Sequence, residues 1–316
     1  MEDVSSVKPG WYNAFRPWSL HGAVVPVLIG GAVAYYDGHM NWWIFLMVLL
    51  CGCLLQSAAN LLNTYGDYVK GTDTLDTLES RSRSPELVTG ALKPKAVLMA
   101  GLACLGITAL CGIIFIWYIG WGILIFGILG IAGAGLYTVG ISYKYYAMGL
   151  ISVFFMMGIL MPLGTYYVMS GELSIIVLLM SLPNAFVITA VLSGNETRDY
   201  YEDKQAGVRT LSSLMSYEGS LKLYLLLNCI AFPILLALLI LQVIPWTSDI
   251  VIPWTCGLAF IALINLRTLL SNAKGAPSDE RKSRLLVPLS FRMNWHFGLL
   301  LVAGYLIGQY LITGTI

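Results

Sequence analysis

Charge is what this chain lacks. Only 11% of its 316 residues are Asp, Glu, Lys or Arg, where a soluble domain carries roughly a quarter. Hydrophobic residues make up 58%, and the mean hydropathy is +0.76. That excludes a water-soluble globular domain. The net charge of +1 gives no sign of a nucleic-acid partner. Cys51, Cys53, Cys104, Cys111, Cys229 and Cys256 contain no Cys-x-x-Cys pair and sit within apolar runs, which argues against a disulfide framework or a thiolate zinc site. The first 16 residues hold no apolar core, so no cleaved secretory signal is expected there.

Nine nearly uncharged stretches fill the space that charge leaves: about 17–36, 42–62, 96–117, 120–139, 149–169, 173–193, 221–243, 250–266 and 291–311. Each is long enough to read as a membrane-spanning helix. Barrel strands would alternate apolar and polar residues, whereas Ile151 to Met161 is apolar apart from Ser152. The expectation is an all-α membrane protein, a single domain over 1–316 with nine transmembrane helices. Gly127, Gly130, Gly133 and Gly135 give the fourth a small-residue face, suited to close helix contact.

Lys and Arg set the orientation. They fall in the N-terminal segment (Lys8, Arg16), in 63–95 (Lys70, Arg81, Arg83, Lys93, Lys95), at Lys144, in 194–222 (Arg198, Lys204, Arg209, Lys222) and in 267–292 (Arg267, Lys274, Arg281, Lys282, Arg284, Arg292). The alternate connections offer Asp37, Glu172 and Asp249 instead. Positive residues favour the cytoplasm, so the N-terminus is expected inside and the C-terminus outside.

Two of the cytoplasmic connections carry chemistry. One opens with Asn60, Asn63, Asp67, Gly71 and Asp73 as the second span ends; the other opens with Asn195, Arg198, Asp199, Asp203, Gly207, Arg209 and Thr210 as the sixth ends. Asn63 and Asp67 are four apart, as are Asn195, Asp199 and Asp203, so each set shares a helix face. Ionisable residues at a membrane edge are costly and therefore functional by default. Oxygen ligands from two helices suit a hard cation, and magnesium prefers a few carboxylates with waters and substrate phosphates. Asp76, Glu79, Glu202 and Asp279 read instead as caps or solvated residues. The motifs begin 132 residues apart on the second and sixth spans, suggesting a duplicated four-helix unit.

The residues carry a resemblance. N-x-x-N-x-x-x-D-Y-x-x-G-x-D (Asn60, Asn63, Asp67, Tyr68, Gly71, Asp73) resembles the first motif of the UbiA superfamily of intramembrane prenyltransferases. N-x-x-R-D-x-x-x-D-x-x-x-G-x-R-T-L (Asn195, Arg198, Asp199, Asp203, Gly207, Arg209, Thr210, Leu211) resembles its second. The variant is most similar to the menaquinone branch, the 1,4-dihydroxy-2-naphthoate polyprenyltransferases. Arg16-Pro17-Trp18-Ser19-Leu20 with Pro26, and His296-Phe297-Gly298, agree with it. Thr64 departs from the Asp that many relatives place after the first-motif Asn. Tyr68 stands where the ubiquinone branch has Arg, which argues against 4-hydroxybenzoate as acceptor.

The resemblance implies a nine-helix bundle with cytoplasmic active-site loops in a prokaryotic plasma membrane. It implies Mg2+-dependent transfer of a prenyl group from its diphosphate to a small aromatic acceptor, 1,4-dihydroxy-2-naphthoate with decarboxylation. Asn63, Asp67, Asp73, Asn195, Asp199 and Asp203 are the implied metal ligands. Asp67, Asp199, Arg198 and Lys144 are the candidate catalytic groups; Asn60, Arg16, Tyr65, Tyr68, Arg209 and His296 are the candidate substrate contacts. Trp18, Tyr65, Tyr137 and Tyr143 are available for cation–π stabilisation, and His21 is a weaker acceptor candidate than His296. The alternatives are another acceptor, a UbiA-type terpene cyclase, and an ion-coupled transporter. The transporter is disfavoured because the acids sit at the rim and no broken helix pair lies at mid-membrane.

Overall fold

A computed structural model of the chain describes residues 10–73, 86–241 and 252–314. Lys8, Asp76, Glu79, Arg81, Arg83 and Asp249 lie outside the described residues. After a short turn of helix, α1 (Trp11–Phe15), come α2 (His21–Tyr36), α3 (Trp42–Val69), α4 (Pro94–Ile119), α5 (Ile123–Gly135), α6 (Gly149–Ser170) and α7 (Ile175–Arg198). They are followed by α8 (Tyr200–Gln205), α9 (Tyr217–Leu241), α10 (Trp254–Gly275, opening as a 3-10 helix) and α11 (Leu286–Thr313). The described residues contain no strand.

Eight helical segments are long and apolar enough to cross a membrane. They coincide with eight of the nine apolar stretches read from the sequence. The remaining stretch, 120–139, is helical only over the 13 residues of α5, about 20 Å at 1.5 Å per residue and short of the roughly 30 Å hydrocarbon core. Its chain leaves the helix because residues 136–144 fold back on themselves: Tyr143 and Lys144 donate their amides to the carbonyls of Leu136 and Tyr137. The small-residue face of α5 packs closely at Gly133, against Met156, and at Gly135, against Leu105, and is open at Gly127. A Cβ added at Gly127, Gly130, Gly133 or Gly135 would meet nothing closer than 3.3 Å, and Gly127, Gly130 and Gly135 line a cavity.

Helix ends follow local chemistry. Asn41 caps α3, its side-chain oxygen accepting the amides of Trp43 and Ile44, and Ser174 caps α7 through Val177. Asp279 accepts the Arg281 amide as a cap, as its position suggested. Lipid tails are as apolar as leucine, so close packing rather than transfer from water holds such helices together. At Gly30 a Cβ would lie 2.3 Å from the Pro162 carbonyl, so only glycine lets α2 lie this close to α6. The main core lies between α2, α6, α7, α9, α10 and α11 and buries Tyr224, Phe297, Tyr305 and Leu269. The cysteines are free thiols.

Helix α3 has 28 residues, about 42 Å, so it outlasts the hydrocarbon core by about two turns. Those turns carry the first acidic motif. Helix α7 ends in the second, and both sit at one end of the bundle. At the other end Tyr166 donates to Asp37 at 2.6 Å.

Candidate active site

The first motif is rigid because its helix is tied on several sides. Asn60 Nδ2 donates to the Phe15 carbonyl at 3.0 Å and to Ser19 Oγ at 2.9 Å, fixing the turn between α1 and α2. Arg16 holds that turn in the left-handed region (φ 52°) and reaches Thr64 Oγ1 at 3.4 Å. Thr64 thus receives the arginine at the position where the sequence departs from the expected Asp. Beyond Asp67 the chain reverses at Gly71 (φ 70°), and the amides of Thr72 and Asp73 both point back at the Asp67 carbonyl. A left-handed glycine permits this helix end, and it is why Asp73 belongs to the motif.

The second motif repeats the device. The chain kinks at Asp199, which ends α7 and starts α8. The Asp199 amide still donates to Asn195 and the Asp203 amide to Asp199, at 3.0 and 2.8 Å, so the four-residue spacing survives the kink. Gly207 (φ 70°) closes α8, and the Val208 amide returns to the Asp203 carbonyl at 2.8 Å. In both motifs an aspartate stands four residues before a left-handed glycine. The glycines are 136 residues apart and the motif asparagines 132, so the shared turn does not follow the register of the suggested duplication.

The turn over 136–148 binds the motifs together. Thr138 Oγ1 donates to Asn63 Oδ1 at 3.0 Å. Lys144 Nζ donates to Asn63 Oδ1 and to both oxygens of Asp67, each at 2.9 Å, and Tyr145 donates its phenol to Asp67 Oδ1 at 2.5 Å. On the other side, the Ala147 amide donates to the Arg209 carbonyl at 2.9 Å. Glu196 Oε2 accepts the Ser212 amide at 3.1 Å, while its Oε1 lies against Gly149 beside the Tyr137 hydroxyl. Ser142 (φ 54°) and Ala147 (φ 58°) bracket this turn. With Arg16 they are the only non-glycine residues at positive φ among the described residues. Such strain, of order 1–3 kcal/mol each, gathers at functional sites.

Buried charge is concentrated here. Asp67, Asp199 and Asp203 are 1%, 3% and 4% exposed. Arg198 forks onto both Asp199 oxygens at 2.8 and 2.9 Å, the bidentate geometry that makes such pairs strong. Burial, and then the charge of Asp67, push the Tyr145 phenol well above its ordinary value, so it stays a donor. Burial lowers the Lys70 ammonium, opposed by Asp67 and assisted by Lys144; its Nζ stands 3.7 Å over the Tyr145 ring.

Not every expected residue converges. His296 is exposed and its ring pairs with Asn265 at 2.6 Å, on a different part of the bundle. His21 is buried against Phe291 and bonded to Asn294. Tyr65 packs into a satellite core with Leu61, Leu87 and Val97; Tyr68 and the Arg209 side chain are exposed. Trp18 packs on Tyr12. Tyr137 and Tyr143 meet edge to face at 5.4 Å, and Tyr143 bonds Ser152 and the Gly133 carbonyl. Three participants were not singled out from the sequence: Thr138, Tyr145 and Glu196. Tyr145 follows the one lysine of a short turn, and Glu196 sits inside the second motif, but only the fold turns them toward the other acids.

Three oxygens converging on one ammonium form a pocket for a cation, and the donors are hard. Among the described residues no three His, Cys, Asp or Glu come together as a self-sufficient metal cage. The set therefore fits an ion that shares its coordination with substrate oxygens, the habit of magnesium. Beside it lies an apolar cavity of about 720 Å3, whose walls include Val48, Cys51, Leu55, Leu62, Phe126 and Val139. Leu62 and Val139, next in the chain to Asn63 and Thr138, are among its walls. From Leu62 to Val48 it follows α3 for about 21 Å.

The model of the UbiA prenyltransferase family matches residues 23–298. The 1,4-dihydroxy-2-naphthoate octaprenyltransferase of Bacillus subtilis is 28% identical over 298 residues, 93% of this chain and 91% of that protein. The UbiA prenyltransferase domain-containing protein 1 of Xenopus tropicalis is 31% identical over 88% of this chain and 79% of its own length. Among solved structures, a UbiA homolog from Archaeoglobus fulgidus bound to GPP and Mg2+ superposes with TM-score 0.59 at 15% identity, over 92% of this chain and 98% of that one. The apo UbiA homolog of Aeropyrum pernix K1 gives 0.60 at 13% identity, over 92% and 97%. With the family model covering most of its length, and one turn tying the first motif to the loop of the second, the chain belongs to the UbiA prenyltransferase family.

Proposed function

We propose that this prenyltransferase moves a polyprenyl group from its diphosphate to 1,4-dihydroxy-2-naphthoate with loss of carbon dioxide, a step of menaquinone synthesis. The observation that supports the transfer is one turn that holds the buried first motif through Lys144 and bonds the loop of the second through Ala147, next to an apolar cavity. The Bacillus relative's activity supports the choice of acceptor, as does Tyr68 in place of an arginine.

Asn63, Asp67, Asp73, Asn195, Asp199 and Asp203 would hold magnesium, which when bound would supply Lewis-acid neutralisation of charge on the leaving diphosphate. Lys144, Arg198 and Arg16 place further positive charge on that face. Stabilising charge as it develops usually lowers a barrier more than any other single effect. The prenyl tail lies in the cavity along α3, where no water competes for the allylic carbon. The naphthoate ring carbon bearing the carboxylate forms the new carbon–carbon bond, and the bond to that carboxylate breaks as carbon dioxide leaves.

The orientation follows from the positive residues. All Lys and Arg lie in alternate connections, so the motifs face the cytoplasm of a prokaryotic cell, with α5 and its flanking turns completing nine crossings. The test is purified enzyme in detergent with magnesium, geranylgeranyl diphosphate and a panel of phenolic acceptors, scored by product mass. A prenylated, decarboxylated naphthoquinol is expected. Pyrophosphate released without any adduct would point to cyclisation of the donor instead.

A further inference from the structure

Lys144 sits in an unusual place for a group meant to contact a diphosphate. Its Nζ lies 2.9 Å from Asn63 Oδ1, from Asp67 Oδ1 and from Asp67 Oδ2, at the point where the first-motif oxygens converge. The pair is nearly dry, the two side chains being 11% and 1% exposed. A divalent ion held by the same oxygens would sit about 2.1 Å from each. An ammonium and a divalent ion cannot both occupy that pocket, and their like charges repel.

We propose that Lys144 is a built-in competitor for the first-motif cation site, so that a metal enters only by displacing the lysine, whose charge then passes to Glu196 and the substrate diphosphate. The inference rests on the metal-dependent reading above and adds a coupling to it. Metal binding without diphosphate is penalised because the ammonium must give up three oxygens. Diphosphate relieves the penalty by offering new ones. The enzyme thereby takes up metal and donor together rather than idling with the metal alone.

Two observations give the displaced lysine somewhere to go. Glu196 is buried and accepts the Ser212 amide, no cation pairs with it among the described residues, and its Oε1 lies against Gly149, two residues beyond the end of the turn that carries Lys144. The turn carrying Lys144 is hinged at Ser142 and Ala147, both in the left-handed region. Glu196 is thus a positioning residue in this account, acting through the lysine.

The experiment measures Mn2+ binding by electron paramagnetic resonance of the free ion, with no diphosphate present. Lys144→Met should bind Mn2+ about tenfold tighter than wild type, the least expected when a charge-assisted contact no longer has to be surrendered. It should bind inorganic pyrophosphate with Mn2+ more weakly. Glu196→Gln should weaken Mn2+ binding in wild type and have no effect in the Lys144→Met background, a dependence that a purely structural role would not show. In unmutated protein, Mn2+ alone should raise acylation of Lys144 by a water-soluble amine reagent, and pyrophosphate should lower it again. Unchanged or weaker Mn2+ binding in Lys144→Met, or acylation indifferent to Mn2+, would overturn the proposal. Binding is read without turnover, so failure to find the naphthoate product would leave this result standing and fault only the acceptor.

Discussion

Gly66 precedes the motif aspartate, and its missing side chain is what lets the 136–148 turn press against α3. A Cβ there would lie 2.5 Å from Thr138 Cγ2, 3.0 Å from Thr138 Cβ and 3.0 Å from the Thr138 carbonyl oxygen. Ordinary van der Waals contact begins near 3.5 Å, so Gly66→Ala forces a separation of about 1 Å between two backbones. Overpacking of this kind costs typically 1–3 kcal/mol. The displaced turn also carries Thr138, Lys144 and Tyr145, so Asn63 and Asp67 lose the partners that aim them. Misplacement by about 1 Å can cost a hundredfold in rate. Gly66→Ala should therefore lower both the melting temperature and, by about 10²-fold, prenyl transfer measured by product mass. Adding Thr138→Ser removes the 2.5 Å methyl contact, keeps the hydroxyl donor to Asn63, and should recover part of both. Gly106→Ala on α4, where a Cβ meets nothing within 4 Å, is the control and should be silent. A Gly66→Ala enzyme as stable and active as wild type would refute the close approach and the role given to the turn.

Other consequences follow from the same contacts. Asn60→Ala removes two donors to the α1–α2 turn and should cost about 1–3 kcal/mol of stability by thermal melting, because the Phe15 carbonyl and Ser19 each lose a hydrogen bond. His296→Ala should keep near-wild-type kcat/KM for the acceptor, because the ring is exposed and paired with Asn265. Gly127→Trp fills part of the apolar cavity, where no atom lies within 4 Å of the glycine's missing Cβ. It should raise KM for long-tailed donors more than for dimethylallyl diphosphate.

The fold was largely legible because apolar runs report span positions directly. The run over 120–139 is as apolar as its neighbours, but hydropathy does not register that its helix is only 13 residues long or that the chain turns after Gly135 toward Asn63. The carboxylates were legible for a different reason. A four-residue spacing is local, so Asn63 and Asp67 share a face whatever the tertiary structure. Tyr65 and Tyr68, a place or two away from those residues, are carried by the same rotation toward α4 and toward the outside. Lys144 stood out by its type, but its hold on Asp67 spans 77 residues, and no spacing rule reports such a contact. Tyr145, Thr138 and Glu196 were missed for that reason. His296 was placed by resemblance in the last span, and the helix face sends it to Asn265.

The central claim is that both acidic motifs act together on one prenyl diphosphate. Pyrophosphate release and product formation should be followed in wild type, Asp67→Asn and Asp199→Asn, each shown to be folded, with magnesium supplied or removed by chelation. The account predicts turnover in wild type that chelation abolishes, and a loss of at least about 10²-fold in each single variant, the scale of removing one charge-stabilising group. Full activity in either variant, or turnover indifferent to chelation, would contradict it.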